Sequence, residues 1–151
     1  MFKLKIPPPI YMVLTAGLMW LVDRFVPIIE VAFYAWNQFG IIFIVAAVII
    51  DAMSLLQFFR SHTTINPLHP ENTEKLVTMG MYQYSRNPMY VGLLLLLTGW
   101  AFLLRSFSPF ILLPIFMVMM TRQQIIPEEK ILESKFGQQY RDYKNSVNRW
   151  L

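Results

Sequence analysis

Residues 39–59 form an apolar run in which Asp51 is the one charge, and three further apolar segments lie at 9–29, 89–104 and 107–120. About 20 such residues carry a helix across the hydrocarbon core of a bilayer. The chain has 151 residues, of which 56% are hydrophobic and 15% charged. A water-soluble domain of that size has too much surface for its volume to hide so much apolar side chain. A bilayer takes up the excess. The expected fold is therefore an all-α integral membrane protein with four transmembrane helices.

The first segment starts after Lys3, Lys5 and the run Pro7-Pro8-Pro9, and is damaged near its far end by Asp23, Arg24 and Pro27. The basic start resembles a signal peptide, but prolines interrupt the apolar region and no Ala-x-Ala site follows. Residues 10–22 read as part of a retained first helix. The last two segments are shorter than a span and must borrow from their flanks. Only Arg105 and Ser106 separate them, which predicts a tight antiparallel hairpin.

Charge placement fits four spans. Eleven of the 13 basic residues then fall on one side: Lys3, Lys5, Arg60, Lys75, Arg86, Arg122, Lys130, Lys135, Arg141, Lys144 and Arg149. Arg24 and Arg105 fall on the other. The positive-inside rule puts both termini in the cytoplasm, and the expected location is a prokaryotic inner or cell membrane. The net charge of +4 is read as topology, not as nucleic-acid affinity. With no cysteine and two histidines, disulfides, thiolate nucleophiles and a metal site are not expected.

Beyond the fourth segment, Ile126, Glu129, Leu132, Phe136, Tyr140, Tyr143 and Val147 recur at steps of three and four, the stripe of an amphipathic helix. Gly137 marks a bend in it. This cytoplasmic tail either lies on the membrane or packs over the mouth of the bundle. Residues 61–72 read as an irregular loop, with His62, just past the second span, read as a solvated interface residue or, alternatively, as one that touches a cofactor from this loop.

Counting back from the hairpin turn at ~1.5 Å per residue sets Tyr90 level with Arg122, Asn87 with Gln124 and Arg86 with Ile125. Pro127 is expected to break the fourth helix, with Glu128 and Glu129 opening the tail helix. Tyr82, Tyr84, Arg86, Asn87, Tyr90, Arg122, Glu128 and Glu129 should thus gather at the cytoplasmic interface. Such a cluster offers aromatic faces, a guanidinium for a carboxylate, and carboxylates for an ammonium or hydroxyls. The same residue types also serve as interfacial anchors. Within the spans, Asp51 is a functional candidate by default, with a hydrogen bond to Ser54 or Thr98 as its plain reading. Gly92 and Gly99, seven apart, should face one side of the third helix and permit close packing.

Four pieces of sequence then carry a resemblance. They are Leu76-Val77-Thr78-Met79-Gly80-Met81-Tyr82, Arg86-Asn87-Pro88-Met89-Tyr90-Val91-Gly92, Glu128-Glu129-x-x-Leu132 and Phe136-Gly137-x-x-Tyr140-x-x-Tyr143. In this order they resemble the isoprenylcysteine carboxyl methyltransferase family, within a wider group that includes phospholipid methyltransferases. The resemblance covers roughly residues 63–150. It implies a polytopic enzyme that uses S-adenosylmethionine, bound by the last hairpin and the C-terminal segment, and a lipid-like or prenylated acceptor. The chain reads as a single domain over 1–151, with two N-terminal spans in 1–60 and a cofactor-binding hairpin and tail in 61–151.

Carried over by motif, the cofactor-binding candidates are Met79, Gly80, Met81, Tyr82, Asn87, Tyr90, Gly92, Glu128 and Glu129. Gly80 would let the backbone pass close to the cofactor. Tyr82, Asn87 and Tyr90 would hold its adenosine or methionine parts, and Glu128 or Glu129 its ribose hydroxyls or ammonium. Arg86 and Arg122 are the catalytic candidates, for orienting an acceptor carboxylate. Arg86 has an alternative as a structural partner of Glu128 or Glu129. Many eukaryotic members have Arg-His-Pro where this chain has Arg86-Asn87-Pro88, so roles needing imidazole chemistry do not transfer. The implied reaction is carboxyl methylation, which needs no general base; phospholipid N-methylation and a non-catalytic scaffold are the alternatives. Acceptor identity and oligomeric state are not read from the sequence.

Overall fold

The computed structural model describes residues 6–31, 33, 35–61 and 75–151. Lys3, Lys5, His62 and nearly all of the loop expected at 61–72 lie outside the described residues. Within them the chain is helical, and its β-type pairing is an isolated bridge between Glu30 and Ser106.

Helix α1 runs Pro8–Phe25 and α2 runs Ala35–Ser61. A 3-10 turn at Gly80–Gln83 leads to α3, Pro88–Leu104. Prolines open α1 and α3 because the first helical turn needs no N–H from them. Arg105, in the left-handed region at φ 65°, ends α3. A second 3-10 turn, Ser108–Ile111, leads into α4, Leu112–Met120. The last helices are α5, Ile126–Phe136, and α6, Gln138–Ser146.

Helix α3 sits at the centre, against α2 over much of its length and against α1 and α4. Met19, Leu97, Ala101, Phe116, Met120 and Ile125 form the main core. Two helical stretches, Ala35–Gln57 and Ser108–Phe136, are long and apolar enough to cross a membrane. Much of the apolar surface of α1 and α2, including Leu14, Trp20, Ile42 and Val48, is exposed. Exposed apolar area on that scale requires a partner surface, and lipid is the one this composition fits.

Gly92 and Gly99 do face the same neighbour. A Cβ on Gly99 would lie 2.7 Å from the Gly40 carbonyl, and one on Gly92 would overlap the Asp51 carboxylate. Small residues thus let α2 and α3 approach backbone to backbone. At the end remote from the candidate site, the segment after α1 is laced to the turn after α3. Ser108 Oγ donates to the Val26 carbonyl at 2.5 Å and accepts from Ile28 N at 2.6 Å, while Ser106 Oγ donates to Asp23 at 2.5 Å.

Pro127 does not break the last helix. The chain stays helical from α4 into α5 through a π-helical turn at Thr121–Ile125. Pro127 then falls in the first turn of α5, and the widened turn before it absorbs the missing hydrogen bond. The bend comes instead at Gly137, φ 55°, between α5 and α6.

Candidate functional site

The tail stripe packs inward, over the 3-10 turn. Tyr140 and Tyr143 are buried against Val77 and Tyr82, with Leu132, Phe136 and Val147 around them. Tyr143 donates a 2.6 Å hydrogen bond to the Tyr82 carbonyl. Gly80 stands at φ 63°, and a Cβ there would collide with the Gln57 amide. Gln57 Oε1 accepts the Met81 N–H at 3.1 Å, so α2 fixes the turn from one side and α6 from the other. A left-handed backbone with no room for a side chain requires glycine here.

Past the turn, the link 85–87 runs beside the C-terminal residues. Arg86 N donates to the Asn148 carbonyl at 2.9 Å, and Asn87 Nδ2 to the Arg149 carbonyl at 2.9 Å. Asn87 precedes α3 but makes no side-chain cap; its amide is committed to the C-terminal strap. Trp150 closes the strap by donating to Thr121 Oγ1 at 3.2 Å.

Glu129 is buried at the centre of this arrangement and holds two guanidinium groups. Arg149 donates to its two oxygens at 2.9 and 2.8 Å, and Arg86 Nη1 lies 3.0 Å from Oε1. These hydrogen bonds hold Arg149 above its ordinary pKa. Tyr140 is pushed up to about 12, first by burial and then by the Glu129 charge. Tyr82 is pushed well above the usual phenol range by burial, then by the charges of Glu128, Tyr143 and Asp51. Glu128 turns the other way and accepts a 3.0 Å hydrogen bond from the Tyr90 hydroxyl. The first turns of α3 and α5 are joined there.

The level count is therefore corrected. Tyr90 meets Glu128, not Arg122, and Arg86 meets Glu129, not Ile125. Arg122 is exposed while Glu129, seven residues on, is buried. In an uninterrupted α-helix residues seven apart differ by only ~20° around the axis. The π-helical turn between them breaks that register, so that Glu128 meets Tyr90 of α3 while Glu129 meets Arg86 and Arg149. Met79 is exposed at the rim of the turn.

Asp51 also departs from expectation. Ser54 and Thr98 donate to carbonyls of their own helices, Ile50 and Leu94. Asp51 lies against Gly92, and its Oδ1 is buried without a hydrogen-bond partner. Arg86 Nε is likewise buried and without a hydrogen bond. Sequence reasoning missed Arg149 and Gln57. A lone arginine near the C-terminus and an amide late in an apolar run carry no periodic signal; only their contacts reveal them.

These groups suit S-adenosylmethionine. Asp51 and Glu128 are carboxylates with no ion pair among the described residues, and that cofactor carries a sulfonium, an ammonium and ribose hydroxyls. The uncommitted Arg86 Nε–H matches a carboxylate. Tyr82 and Tyr90 supply aromatic faces.

The phospholipid methyltransferase family matches the chain over residues 36–139. An uncharacterized protein of Haemophilus influenzae is 44% identical over 63 residues, 42% of this chain and 100% of that protein. Protein-S-isoprenylcysteine O-methyltransferase A of Arabidopsis thaliana is 31% identical over 111 residues, 74% of this chain and 56% of the relative. The Schizosaccharomyces pombe protein-S-isoprenylcysteine O-methyltransferase is 38% identical over 72 residues, 48% of this chain and 30% of the relative. The aligned part thus spans little more than half of the plant relative and less of the yeast one. No solved structure matches.

Proposed function

The chain belongs to the phospholipid methyltransferase family, alongside the isoprenylcysteine carboxyl methyltransferases, and from that premise we propose that it is an integral membrane methyltransferase using S-adenosylmethionine on a carboxylate of a prenyl-like or lipid-like acceptor. Four spans with both termini in the cytoplasm are part of this reading, supported by the one-sided distribution of basic residues. The observation that carries it is the joining of Tyr90 to Glu128 and of Arg86 to Glu129. These two contacts bring the family-like motifs of α3 and α5 into one polar cluster at the end of an apolar bundle.

The cofactor supplies a methyl group on a positively charged sulfur, already activated for in-line displacement. The protein's task is then to align the acceptor and keep water out. Glu128 binds the cofactor's hydroxyls or ammonium, since the oxygens of Glu129 are taken by two guanidinium groups. Tyr82 and Tyr90 would hold its flat and aliphatic parts, and Gly80 would let the backbone pass near it. Asn87 and Glu129 position the walls by fixing the strap. Arg86, whose Nε–H is buried without a hydrogen-bond partner, would be the group that orients a carboxylate.

The experiment is calorimetric titration of S-adenosylhomocysteine into the detergent-solubilised protein, its Tyr90→Phe variant and its Glu128→Gln variant. Binding by the native chain with weaker binding by both variants is expected. No binding by the native chain would sink the reading. The family's description favours phospholipid N-methylation as a second reading. Product chemistry separates the two, because a methyl ester is cleaved by base and an N-methyl group is not.

A further inference from the structure

Asp51 occupies the middle of α2, in a stretch long and apolar enough to cross a membrane. A carboxylate in such a place is costly unless something answers its charge. Nothing among the described residues does so. The hydroxyls of Ser54 and Thr98, on the same two helices, are turned onto their own backbones. Arg86 and Arg149 are committed to Glu129. Asp51 Oδ1 is buried and accepts no hydrogen bond.

The carboxylate is nonetheless held in place. It lies against Gly92, where a Cβ would occupy the space of its oxygens. Gly92 stands two residues beyond Tyr90, whose hydroxyl donates to Glu128, so Asp51 lies beside the stretch of α3 that carries this cluster. It enters from α2, six residues before Gln57, the residue that holds the Met81 N–H. Six helical residues amount to about 9 Å, so Asp51 sits on the bilayer side of the Gly80 turn.

We propose that Asp51 is the counter-charge for the sulfonium of S-adenosylmethionine, so that the site distinguishes the methyl donor from its uncharged thioether product. A sulfonium carries a full positive charge but no N–H or O–H. It is answered by negative charge, which a carboxylate oxygen supplies and a neutral hydroxyl or amide does not. The missing Cβ of Gly92 gives the carboxylate its place between α2 and α3, and the poorly screened surroundings magnify the attraction. Once the methyl group has left, the sulfur is neutral and the attraction is gone. The product is then held only by its adenosine and amino-acid parts. This rests on the cofactor assignment made above.

The test is binding, without turnover. S-adenosylmethionine and S-adenosylhomocysteine are titrated separately into the full-length protein in detergent, with no acceptor present, and then into the Asp51→Asn variant, which keeps shape and removes charge. The native protein should prefer the sulfonium. Asp51→Asn should weaken sulfonium binding by about tenfold or more and leave thioether binding within about twofold, which also reports that the variant is folded. Equal losses for both ligands, or no loss for either, overturn the proposal while leaving the cofactor assignment intact. Equal native affinities for the two ligands overturn it without need of the variant. If the native protein binds neither ligand, the cofactor assignment and the proposal fall together.

Discussion

Arg149 lies fork-to-fork on Glu129, with its Nε and Nη2 at 2.9 and 2.8 Å from the two carboxylate oxygens. This contact draws the chain's last residues onto α5 and, through the Asn148 and Arg149 carbonyls, onto the link before α3.

Glu129→Gln should therefore destabilise much more than Arg149→Ala. The first leaves the buried Arg86 guanidinium unanswered, a loss of about 3–5 kcal/mol. The second removes a partner that is 34% exposed, and solvent screening brings its loss down to about 1–2 kcal/mol. Denaturant unfolding in detergent, followed by tryptophan fluorescence, ranks the two. Equal losses would show that the strap, not the buried pair, dominates.

Gly80→Ala should cost about 1–3 kcal/mol through its backbone conformation and the overlap with Gln57. Gln57→Ala alone should lose about 1 kcal/mol with the Met81 hydrogen bond. In the double variant the steric part is relieved, so its loss should fall short of the sum of the singles. Melting temperatures of the three variants check this.

Gly99→Val should separate α2 from α3. Even a Cβ would stand 2.7 Å from the Gly40 carbonyl, and overpacking of this kind costs about 1–3 kcal/mol. Gly17→Val, where nothing lies within 4 Å, is the matched control with a much smaller effect. Thermal unfolding in the same detergent compares them.

Arg122→Ala should leave S-adenosylhomocysteine affinity within about twofold, whereas Glu128→Gln should weaken it by about tenfold. The first side chain is exposed on the π-helical turn and the second touches Tyr90. A large effect at Arg122 in calorimetry would mean that α5 is rotated differently in the bound protein.

The candidate site was legible in the sequence as far as local chemistry reaches. The motif residues around Tyr82, Asn87 and Glu128 stand out because their types are unusual beside apolar runs. The tail stripe from Leu132 to Val147 is a periodic pattern, and it does fold onto Val77 and Tyr82. The pairing of those residues was beyond the same reasoning. A level count assumes uniform rise and rotation, and the π-helical turn at Thr121–Ile125 changes both. Arg122 is thereby exposed, and Glu129 is buried between Arg86 and Arg149.

The sequence by itself determined that the chain is helical, that its bulk suits a bilayer, and which short motifs could carry chemistry. Hydrophobic transfer and helical periodicity are local in the chain, so they can be read along it. Only the tertiary structure decided that Glu129 is enclosed by Arg86 and Arg149, that Glu128 turns to Tyr90, and that Asp51 lies against Gly92 with no charge partner among the described residues. Those outcomes depend on where groups far apart in sequence come to lie, and a charge's role is fixed by what stands beside it.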